Sequence, residues 1–353
     1  MGNVLIIASS AKSFNLADGN PHPTGVWAEE LWKPLLRFEK SKLNVVVGTP
    51  DGKPPIPDPY SLEYYFHYLD EDEDFFSSTA RTFDEDPEDI RLTLDHLTQL
   101  DLMSSRNVFS LLRTKGLSKK EAFNLVATSA KESWRKNKNL LEILKNKTEI
   151  TTHITPEEID KCGSSATINA KTQAKDIENG ILNHPLCSNP RNINSIEEAE
   201  LNQFDVVFIP GGHGPMVDLY NNEKVGEIIT HINSKNGTVG ALCHGPAALM
   251  STTAKNGDGS WLFEGYKMTV FTDEEELQTR PGKLGIPWYL EGSLRNLGGV
   301  LDTATAPWTS HVVVDRNLIT GQNPASAEAT ADAIIDRLSM QGVVELSSLK
   351  ESA

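Results

Sequence analysis

The stretch GTVGALCHGPAALM, residues 237–250, decides the fold class that we predict for this protein. A short apolar run ends at Cys243, and Pro246 then begins a pattern of small and apolar residues that is typical of a helix. A buried strand that turns sharply into a helix exposes the residue at the turn above the end of the strand, as in a nucleophile elbow. The sequence therefore predicts a strand-turn-helix unit with Cys243 at its turn.

Comparable apolar runs occur at five further places in the chain. Most are rich in Val and Ile and continuous rather than alternating, which is typical of strands buried on both faces. Helical patterns separate them, and strands that alternate with helices predict right-handed βαβ units. We therefore expect an α/β fold with a doubly wound, mostly parallel, flavodoxin-like sheet and helices on both faces. The runs are residues 3–9, 43–50, 204–212, 266–273 and 311–321.

The alternation stops between about Tyr60 and Leu201. Capping-box patterns in this region predict helices rather than a disordered loop. They lie at Ser118 with Glu121, at Thr155 before a proline, and at Ser195 with Glu198. We expect a core domain of residues 1–60 and 200–345 and a mainly helical insertion of residues 61–199. The insertion is either a cap over the ligand-binding edge of the sheet or a surface elaboration remote from it.

Charge and cysteine content exclude several classes of protein. The formal net charge of −16 argues against partners such as nucleic acid, which needs clustered cations, and against anionic membranes. Three cysteines without a CxxC pair indicate neither a disulfide scaffold nor a zinc module, and they fit a reducing compartment. The N-terminus lacks the basic start of a signal peptide, and no apolar run is long enough to span a bilayer. These features predict a cytoplasmic location.

Cys243 is the main candidate for a catalytic residue. A thiol reacts as its thiolate, and a helix N-terminus beside a histidine is a setting that lowers the thiol pKa. Both features are predicted for Cys243, with His244 as the neighbour. The alternative is a buried structural cysteine, which is common and mostly inert.

A second turn and two acidic groups complete the set of candidates. In IPGGHGP the amides of Gly211 and Gly212 follow a strand and are predicted to form an oxyanion site, unless this is an ordinary glycine turn. Two sets of acidic residues each follow a strand. Most carboxylates in such places are solvated, but one from each set can serve as general acid or base. These acids are Glu29 and Glu30 after the first strand, and Asp273, Glu274, Glu275 and Glu276 after a later one.

Five motifs together resemble the ThiJ/PfpI superfamily, in particular its heat-inducible chaperone and glyoxalase III branch. They stand in that family's order and cover roughly residues 1–60 and 200–340, whereas residues 61–200 do not match well. A set of five ordered motifs is far more specific than any one of them. The motifs are TGVWAEE, FIPGGHG, ALCHGPAAL, LFEGYKMTVFTDEEE and LITGQNPASAEATA.

The resemblance implies a role for each matching residue. Cys243 falls at the family's nucleophile and His244 at its histidine partner. Glu30 falls at the glutamate that hydrogen-bonds the thiol and shuttles protons. The acidic third member of the site is either Glu276, which the form FTDxxE favours, or Asp273.

The GGHG turn of the same family binds the substrate or its oxyanion. The resemblance therefore implies this role for Gly211, Gly212 and His213. Some members also hold a metal, but the corresponding first-helix positions are Glu39 and Asn44 here, so we expect no metal and no other cofactor. We expect the remaining histidine of the N-terminal region, His22, to be a loop residue rather than a ligand.

Relatives of this branch convert methylglyoxal to D-lactate without glutathione, so the resemblance implies a lyase of that type acting on a small reactive carbonyl. A protein deglycase or small-amide hydrolase using the same thiol is the leading alternative. A holdase chaperone for unfolding clients is an alternative from another class, and a redox sensor is compatible with either. The resemblance also implies a homodimer.

Overall fold

The computed structural model describes residues 2–62, 105–162, 175–253 and 260–344. The chain divides into two units, one of Met1–Leu62 with Asp176–Ala353 and one of Glu63–Lys175. Among the described residues, no helix has both the length and the apolar character needed to cross a membrane.

Eleven strands are described in the first unit. They are β1 (Asn3–Ile7), β2 (Ser13–Asn15), β3 (Pro21–Pro23), β4 (Asn44–Thr49), β5 (Arg191–Asn192), β6 (Val206–Ile209), β7 (Thr238–Leu242), β8 (Lys267–Met268), β9 (Val300–Leu301), β10 (Val312–Asp315) and β11 (Leu318–Gly321).

Helices connect most of these strands or form the second unit. They are α1 (Ala28–Lys40), α2 (Ser105–Thr114), α3 (Lys119–Lys136), α4 (Leu140–Lys145), α5 (Thr148–Thr151), α6 (Pro156–Cys162), α7 (Pro185–Ser188), α8 (Glu198–Leu201), α9 (Pro215–Asp218), α10 (Glu223–Ser234), α11 (Asp273–Glu276), α12 (Arg280–Leu284), α13 (Leu290–Asn296) and α14 (Ala327–Met340). Residues 59–62 and 175–183 are also helical. Three 3₁₀ helices span Ile193–Ser195, Gly245–Thr252 and Pro324–Ser326.

Seven strands form the central sheet, in the order β10-β11-β7-β6-β1-β4-β5. All neighbours are parallel except β10 and β11, which are antiparallel. The predicted mostly parallel α/β sheet is therefore confirmed. The chain places β4 on one side of β1 and β6 on the other, so the strand order reverses at β1. Ligands of open α/β sheets bind at such a switch point, outside the carboxyl ends of the strands.

Side chains of the central strands alternate between two buried faces, as the two-residue period of a strand requires. Val207 and Ile209 of β6 belong to the apolar cluster that contains Ile228 and Ile232 of α10. Phe208, between them, instead packs edge-on against Phe38 of α1, with ring centroids 5.6 Å apart. Helices α1 and α14 pack against each other. Because both faces of these strands are buried, their sequences are continuously apolar rather than alternating.

The first unit includes a segment that we expected to belong to the insertion. Strand β5 pairs with β4 at the edge of the sheet, with Gly48 opposite Arg191 and Thr49 opposite Asn192. Residues 176–199 therefore belong to the first unit, and the boundary expected at residues 199–200 differs from the structural one. Two residues of pairing are too short to produce a recognisable strand pattern.

The second unit has an apolar core of its own. Its helices bury Leu112, Leu140, Leu144 and Ile150 almost completely. Whether this unit caps the ligand-binding edge of the sheet stays a prediction.

Two of the three predicted helix starts have a capping box. Ser118 and Glu121 exchange hydrogen bonds at the start of α3, and Thr155 and Glu158 do so at the start of α6. The box predicted for Ser195 and Glu198 is wrong. Ser195 ends a 3₁₀ helix and Ile196 is extended and buried, so α8 begins only after Glu197.

Two glycines flanking Cys243 provide a test of this packing. A Cβ at Gly245 would lie 2.3 Å from the carbonyl oxygen of Ile209, whereas one at Gly240 would meet the terminal Cδ1 of Ile334 at 2.6 Å. A backbone oxygen cannot move aside, but the end of a side chain can. We expect Gly245→Ala to lower the free energy of unfolding by about 2 kcal/mol or more and Gly240→Ala by about 1 kcal/mol. Urea denaturation would measure both, and a larger loss in Gly240→Ala would contradict this packing.

Candidate active site

Cys243 lies at the turn between β7 and the 3₁₀ helix Gly245–Thr252, as the elbow prediction requires. Its φ of +60° is in the left-handed region, which is unusual for a residue with a Cβ. Two backbone hydrogen bonds hold it there: its N–H donates to the carbonyl of Gly321 (2.9 Å), and its carbonyl accepts from the N–H of Phe271 (3.0 Å). Strain of this kind persists only where the surroundings over-determine it, and it is often found at functional sites.

The left-handed turn brings Cys243 and His244 into contact. Adjacent residues of a regular strand point to opposite faces, yet here Sγ of Cys243 lies 3.3 Å from Nδ1 of His244. Both side chains are almost completely buried. The predicted thiol-imidazole pair is therefore present in the structure.

One buried carboxylate joins His244 to a second histidine. Oε2 of Glu276 lies 2.6 Å from Nε2 of His244, and Oε1 lies 2.9 Å from Nε2 of His213. Oε1 also accepts a hydrogen bond from the Thr279 hydroxyl at 2.8 Å. The helix that carries Glu276, α11, starts with a capping box between Thr272 and Glu275, which fixes the position of Glu276 in the next residue.

Of the two candidates for the acidic member, only Glu276 bonds to His244. Asp273 is the first residue of α11, and its N–H donates to Oε2 of Glu291. Oδ1 of Asp273 is buried without a hydrogen-bond partner among the described residues. Asp273 is thus not a member of the chain that runs from the thiol through His244 to the carboxylate.

Glu30 lies on the opposite side of the thiol, in the first turn of α1. Its Oε2 accepts the N–H of Gly211 at 2.8 Å, and its carboxyl group interacts with the Cys243 side chain. Its Oε1 is buried and has no hydrogen-bond partner among the described residues. Burial raises the pKa of Glu30 to about 8 despite these contacts. Glu30 is therefore mostly protonated at neutral pH and able to exchange a proton.

The turn after β6 does not provide two free amides. The Gly211 N–H donates to Glu30, and the Gly212 N–H donates to the Cys243 side chain. The expectation that Gly211 binds an oxyanion is wrong, because its amide is used to position Glu30. The amide that follows the nucleophile in an elbow is the usual oxyanion donor, and the N–H of His244 donates to no group of the described residues.

Gly211 itself is required by this close packing. A Cβ there would lie 2.6 Å from both the Glu30 carboxylate and the carbonyl oxygen of Leu242. The Gly211 carbonyl also accepts the N–H of Trp27, the N-cap of α1 (3.0 Å). Two bonds therefore connect this turn to the helix that carries Glu30.

The site is uncharged around the sulfur. Burial raises the pKa of the Cys243 thiol well above its usual value, and the adjacent Glu30 carboxyl adds to this. Burial lowers the pKa of His244 to about 4. The sequence-based expectation of a lowered thiol pKa is therefore wrong, because the loss of hydration outweighs the histidine and the helix N-terminus.

An ionised carboxylate, that of Glu276, lies on the far side of His244 from the sulfur. Burial alone would raise the pKa of Glu276, but His213 and His244 hold it well below its usual value. Because an ionised carboxylate only accepts hydrogen bonds, His244 donates from Nε2 and its Nδ1 is left to accept the thiol proton.

The described residues contain one group with metal-ligand chemistry, formed by His213, His244 and Glu276. Its N–O separations of 2.6 and 2.9 Å are those of direct, charge-assisted hydrogen bonds. They are shorter than the spacing of about 3.3 Å that two ligands of a tetrahedral zinc ion would have, given zinc–ligand distances near 2.0 Å. The two family metal positions are otherwise engaged, since Glu39 pairs with His184 (3.4 Å) and the Asn44 amide donates to Asn3 (3.0 Å).

The aromatic wall of the site was not predicted from the sequence. His22 is not a free loop residue: it lies in β3, is 5% exposed, and stacks on Tyr60 with ring centroids 5.2 Å apart. Phe14 of β2 contacts His22 edge-on and stacks on His213, each at 5.4 Å. The short hairpin β2–β3 places these rings, and three-residue strands leave no readable pattern.

Part of the first unit is similar to a known protein family. The DJ-1/PfpI family matches residues 193–337. These residues, about two fifths of the chain, are similar to a DJ-1/PfpI family domain. The resemblance found in the five motifs is thereby confirmed for the segment with Cys243, His244 and Glu276. Glu30 lies outside the matched range and is connected to it by the hydrogen bond to Gly211. Residues 101–173 separately match the family described as adenylosuccinate lyase C-terminus.

Two relatives and one solved structure illustrate the similarity. The glutamine amidotransferase-like class 1 domain-containing protein 1 of Bos taurus is 34% identical over 139 residues, which are 39% of this chain and 60% of that protein. The glutathione-independent glyoxalase HSP31 of Saccharomyces cerevisiae is 33% identical over 156 residues, or 41% and 62% of the two chains. The match thus spans about three fifths of each relative.

One structural neighbour is glyoxalase III from Candida albicans, whose crystal structure gives a TM-score of 0.51 and 19% identity over 98% of both chains. At this identity the likeness concerns the fold alone. It agrees with the mostly parallel, flavodoxin-like sheet of the first unit.

The raised pKa of Glu30 predicts a pH-dependent cost to stability. Between its ordinary value of 4.5 and about 8, the carboxyl is ionised in the unfolded chain and protonated in the folded one. Stability therefore falls as pH rises through this window. Glu30→Gln keeps an acceptor for Gly211 and has no charge to bury. At about 1.4 kcal/mol per pKa unit, we expect the variant to gain a few kcal/mol over the wild type between pH 5 and pH 9.

Denaturant titrations at both pH values measure this gain. The matched control is Glu29→Gln, one residue earlier on α1, where the carboxylate already pairs with Lys33 at 2.7 Å. It should show no comparable gain at high pH. Equal stability differences at pH 5 and pH 9 for Glu30→Gln would contradict the burial of a protonated Glu30.

Proposed function

We propose that this protein is a glutathione-independent glyoxalase that converts methylglyoxal, or a similarly small α-oxoaldehyde, to D-lactate or the corresponding 2-hydroxy acid. The observation that supports it best is the placement of Cys243 between a neutral histidine acceptor and a carboxyl group with a pKa of about 8. A thiol, a base for its proton and a second group that exchanges protons near neutral pH are what this isomerisation needs.

The first step is attack of the Cys243 sulfur on the aldehyde carbon. As the C–S bond forms, the S–H proton passes to Nδ1 of His244 at 3.3 Å, and the π electrons of the carbonyl move to its oxygen. The His244 amide is the donor available to this oxyanion. The proton on His244 then neutralises the oxygen to give a hemithioacetal. A thiol with a raised pKa is competent here, because the imidazole removes its proton during the attack.

The second step is proton transfer by Glu30. Its ionised carboxylate takes the proton from the former aldehyde carbon, giving an enediolate, and returns that proton to the neighbouring carbon. The hydroxyl proton of the first carbon passes to the oxygen of the second. The first carbon is oxidised to the level of a thioester while the second is reduced to an alcohol, so the electrons balance within the substrate. Water then hydrolyses the thioester and restores the thiol. No external oxidant or reductant enters this sequence.

Burial of the nucleophile favours a small substrate. Cys243 is 1% exposed and Glu30 is completely buried, so a polypeptide cannot reach the sulfur without a large rearrangement. Small ligands are typically bound in such enclosed sites. This supports a small carbonyl over a protein substrate. The expected homodimer and cytoplasmic location remain part of the proposal.

Turnover of methylglyoxal without glutathione tests the proposal. The wild type should form D-lactate, whereas Cys243→Ala and Glu30→Gln should each lose about a thousandfold or more in kcat, because each removes a group that makes or breaks a bond. Chiral analysis of the lactate follows the product, and the thermal unfolding of each variant confirms that it is folded. A folded wild type that forms no lactate, or an active Cys243→Ala, would exclude this function.

The pH dependence of the reaction should report the ionisation of Glu30. Since the base must be deprotonated in the free enzyme, kcat/KM should rise with pH through a limb near pH 8. A steady-state profile from pH 5 to pH 9.5 measures it. A plateau already reached at pH 6 would mean that Glu30 is not the base.

A further inference from the structure

His213 has no role in the bond-making steps above, yet it is as closely integrated into the site as His244. It is 6% exposed, bonds to the same carboxylate, and contacts the ring of His244, with centroids 4.2 Å apart and planes tilted by 38°. Two imidazoles in contact on one carboxylate share a single negative charge. Two positive rings at this distance repel each other, so at most one of them carries a positive charge.

Surrounding charges favour His213 as the cation. Among the described residues, four titratable side chains interact with it: Glu276 of α11, His244 after β7, Asp58 after β4 and His22 of β3. His213 interacts with two acids, Glu276 and Asp58. His244 interacts with one of them, Glu276. The face of Phe14 also lies against His213, with planes 20° apart, and an aromatic face stabilises a cation.

We propose that His213 is a positioning residue that carries the positive charge paired with Glu276 and thereby keeps the Cys243–His244 pair in its uncharged form. The resting site is then a thiol beside a neutral imidazole rather than a thiolate beside an imidazolium. The directions of the pKa shifts agree, since Glu276 raises the pKa of His213 although burial lowers it, while the pKa of His244 falls to about 4.

This arrangement has a chemical consequence for the nucleophile. His244 keeps a lone pair on Nδ1 and accepts the thiol proton only when an electrophile arrives. Because oxidation and alkylation follow the thiolate, the resting sulfur is protected from both. His213 acts through Glu276 and His244 and need not touch the substrate.

Alkylation of Cys243 by iodoacetamide as a function of pH tests this without any substrate. In His213→Gln the amide still donates to Glu276 but carries no charge, so His244 becomes the cation and stabilises the thiolate. We expect the midpoint of the alkylation profile to move to lower pH by about one unit or more, with about tenfold faster alkylation at pH 6. His213→Phe, which keeps the ring stack, should show the same shift. The control Phe14→Leu removes only the aromatic face and leaves the charge on His213 in place, so it should move the midpoint much less than His213→Gln does.

Mass spectrometry assigns the modified cysteine. Cys187 is as buried as Cys243, and burial raises its pKa to about 12, so modification there would report unfolding of the variant. The shift should vanish in the double variant of His213→Gln with Glu276→Gln, compared with Glu276→Gln alone, because the effect passes through that carboxylate. An unchanged midpoint in His213→Gln would overturn the proposal. So would a shift confined to His213→Phe, which would assign the effect to the hydrogen bond instead of the charge.

The wild type provides a measurement that needs no variant. In spectra of protein labelled with ¹⁵N-histidine at pH 7, His213 should be doubly protonated and His244 neutral with its proton on Nε2. A neutral His213 would overturn the proposal. Both experiments omit substrate, so their failure is distinguishable from a failure of the glyoxalase reaction.

Discussion

The backbone of Cys243 is held by neighbours on both sides, and the geometry of the site depends on this. The N–H is bonded to the end of β11 and the carbonyl to Phe271, the residue that leads into the capping box of α11. The left-handed φ therefore cannot relax to an extended value without breaking bonds to two other segments. His244 follows Cys243 directly, and Glu276 lies on the helix that follows Phe271. The hydrogen bond between Cys243 and Phe271 therefore also aligns His244 with Glu276.

Burial determines the electrostatics of the site more than any single charged neighbour does. Without water, the thiol, Glu30 and His244 each favour their neutral forms. Charge persists beside them at Glu276, which both imidazoles contact and which, by our proposal, pairs with a cationic His213. The result is a neutral reaction centre with an ion pair beside it, so charge separates at the sulfur only as a bond to carbon forms.

Much of the fold could be predicted from the sequence, because its signals are local. Continuous Val and Ile runs indicated the central strands, and small residues around Cys243 indicated the turn. Two capping boxes were predicted because a box needs only two residues at a fixed spacing. Strand β5 and the hairpin β2–β3 were missed, since two or three residues form a strand only when a neighbouring segment supplies the hydrogen bonds.

The candidate site was predictable in its members but not in its connections. Cys243, His244, Glu30 and Glu276 were found, whereas the partner of each polar atom depends on distances between segments far apart in the chain. Gly211 illustrates this: the pattern GG suggested a free amide, but residue 30 occupies it from 181 positions away. The pKa direction of the thiol was wrong for the same reason, because the adjacent histidine is visible in the sequence and the loss of water is not.

Glu30 shows why stability and reactivity oppose each other at such a site. A glutamine would accept the Gly211 amide equally well and would avoid the cost of ionisation. What the carboxyl adds is the ability to gain and lose a proton near neutral pH, which requires the burial that makes it unfavourable. The Gly211 turn, which bonds to Glu30 and to Trp27, holds the Glu30 carboxyl group against the sulfur. The backbone at this edge of the sheet, rather than the carboxyl group itself, therefore stabilises the site.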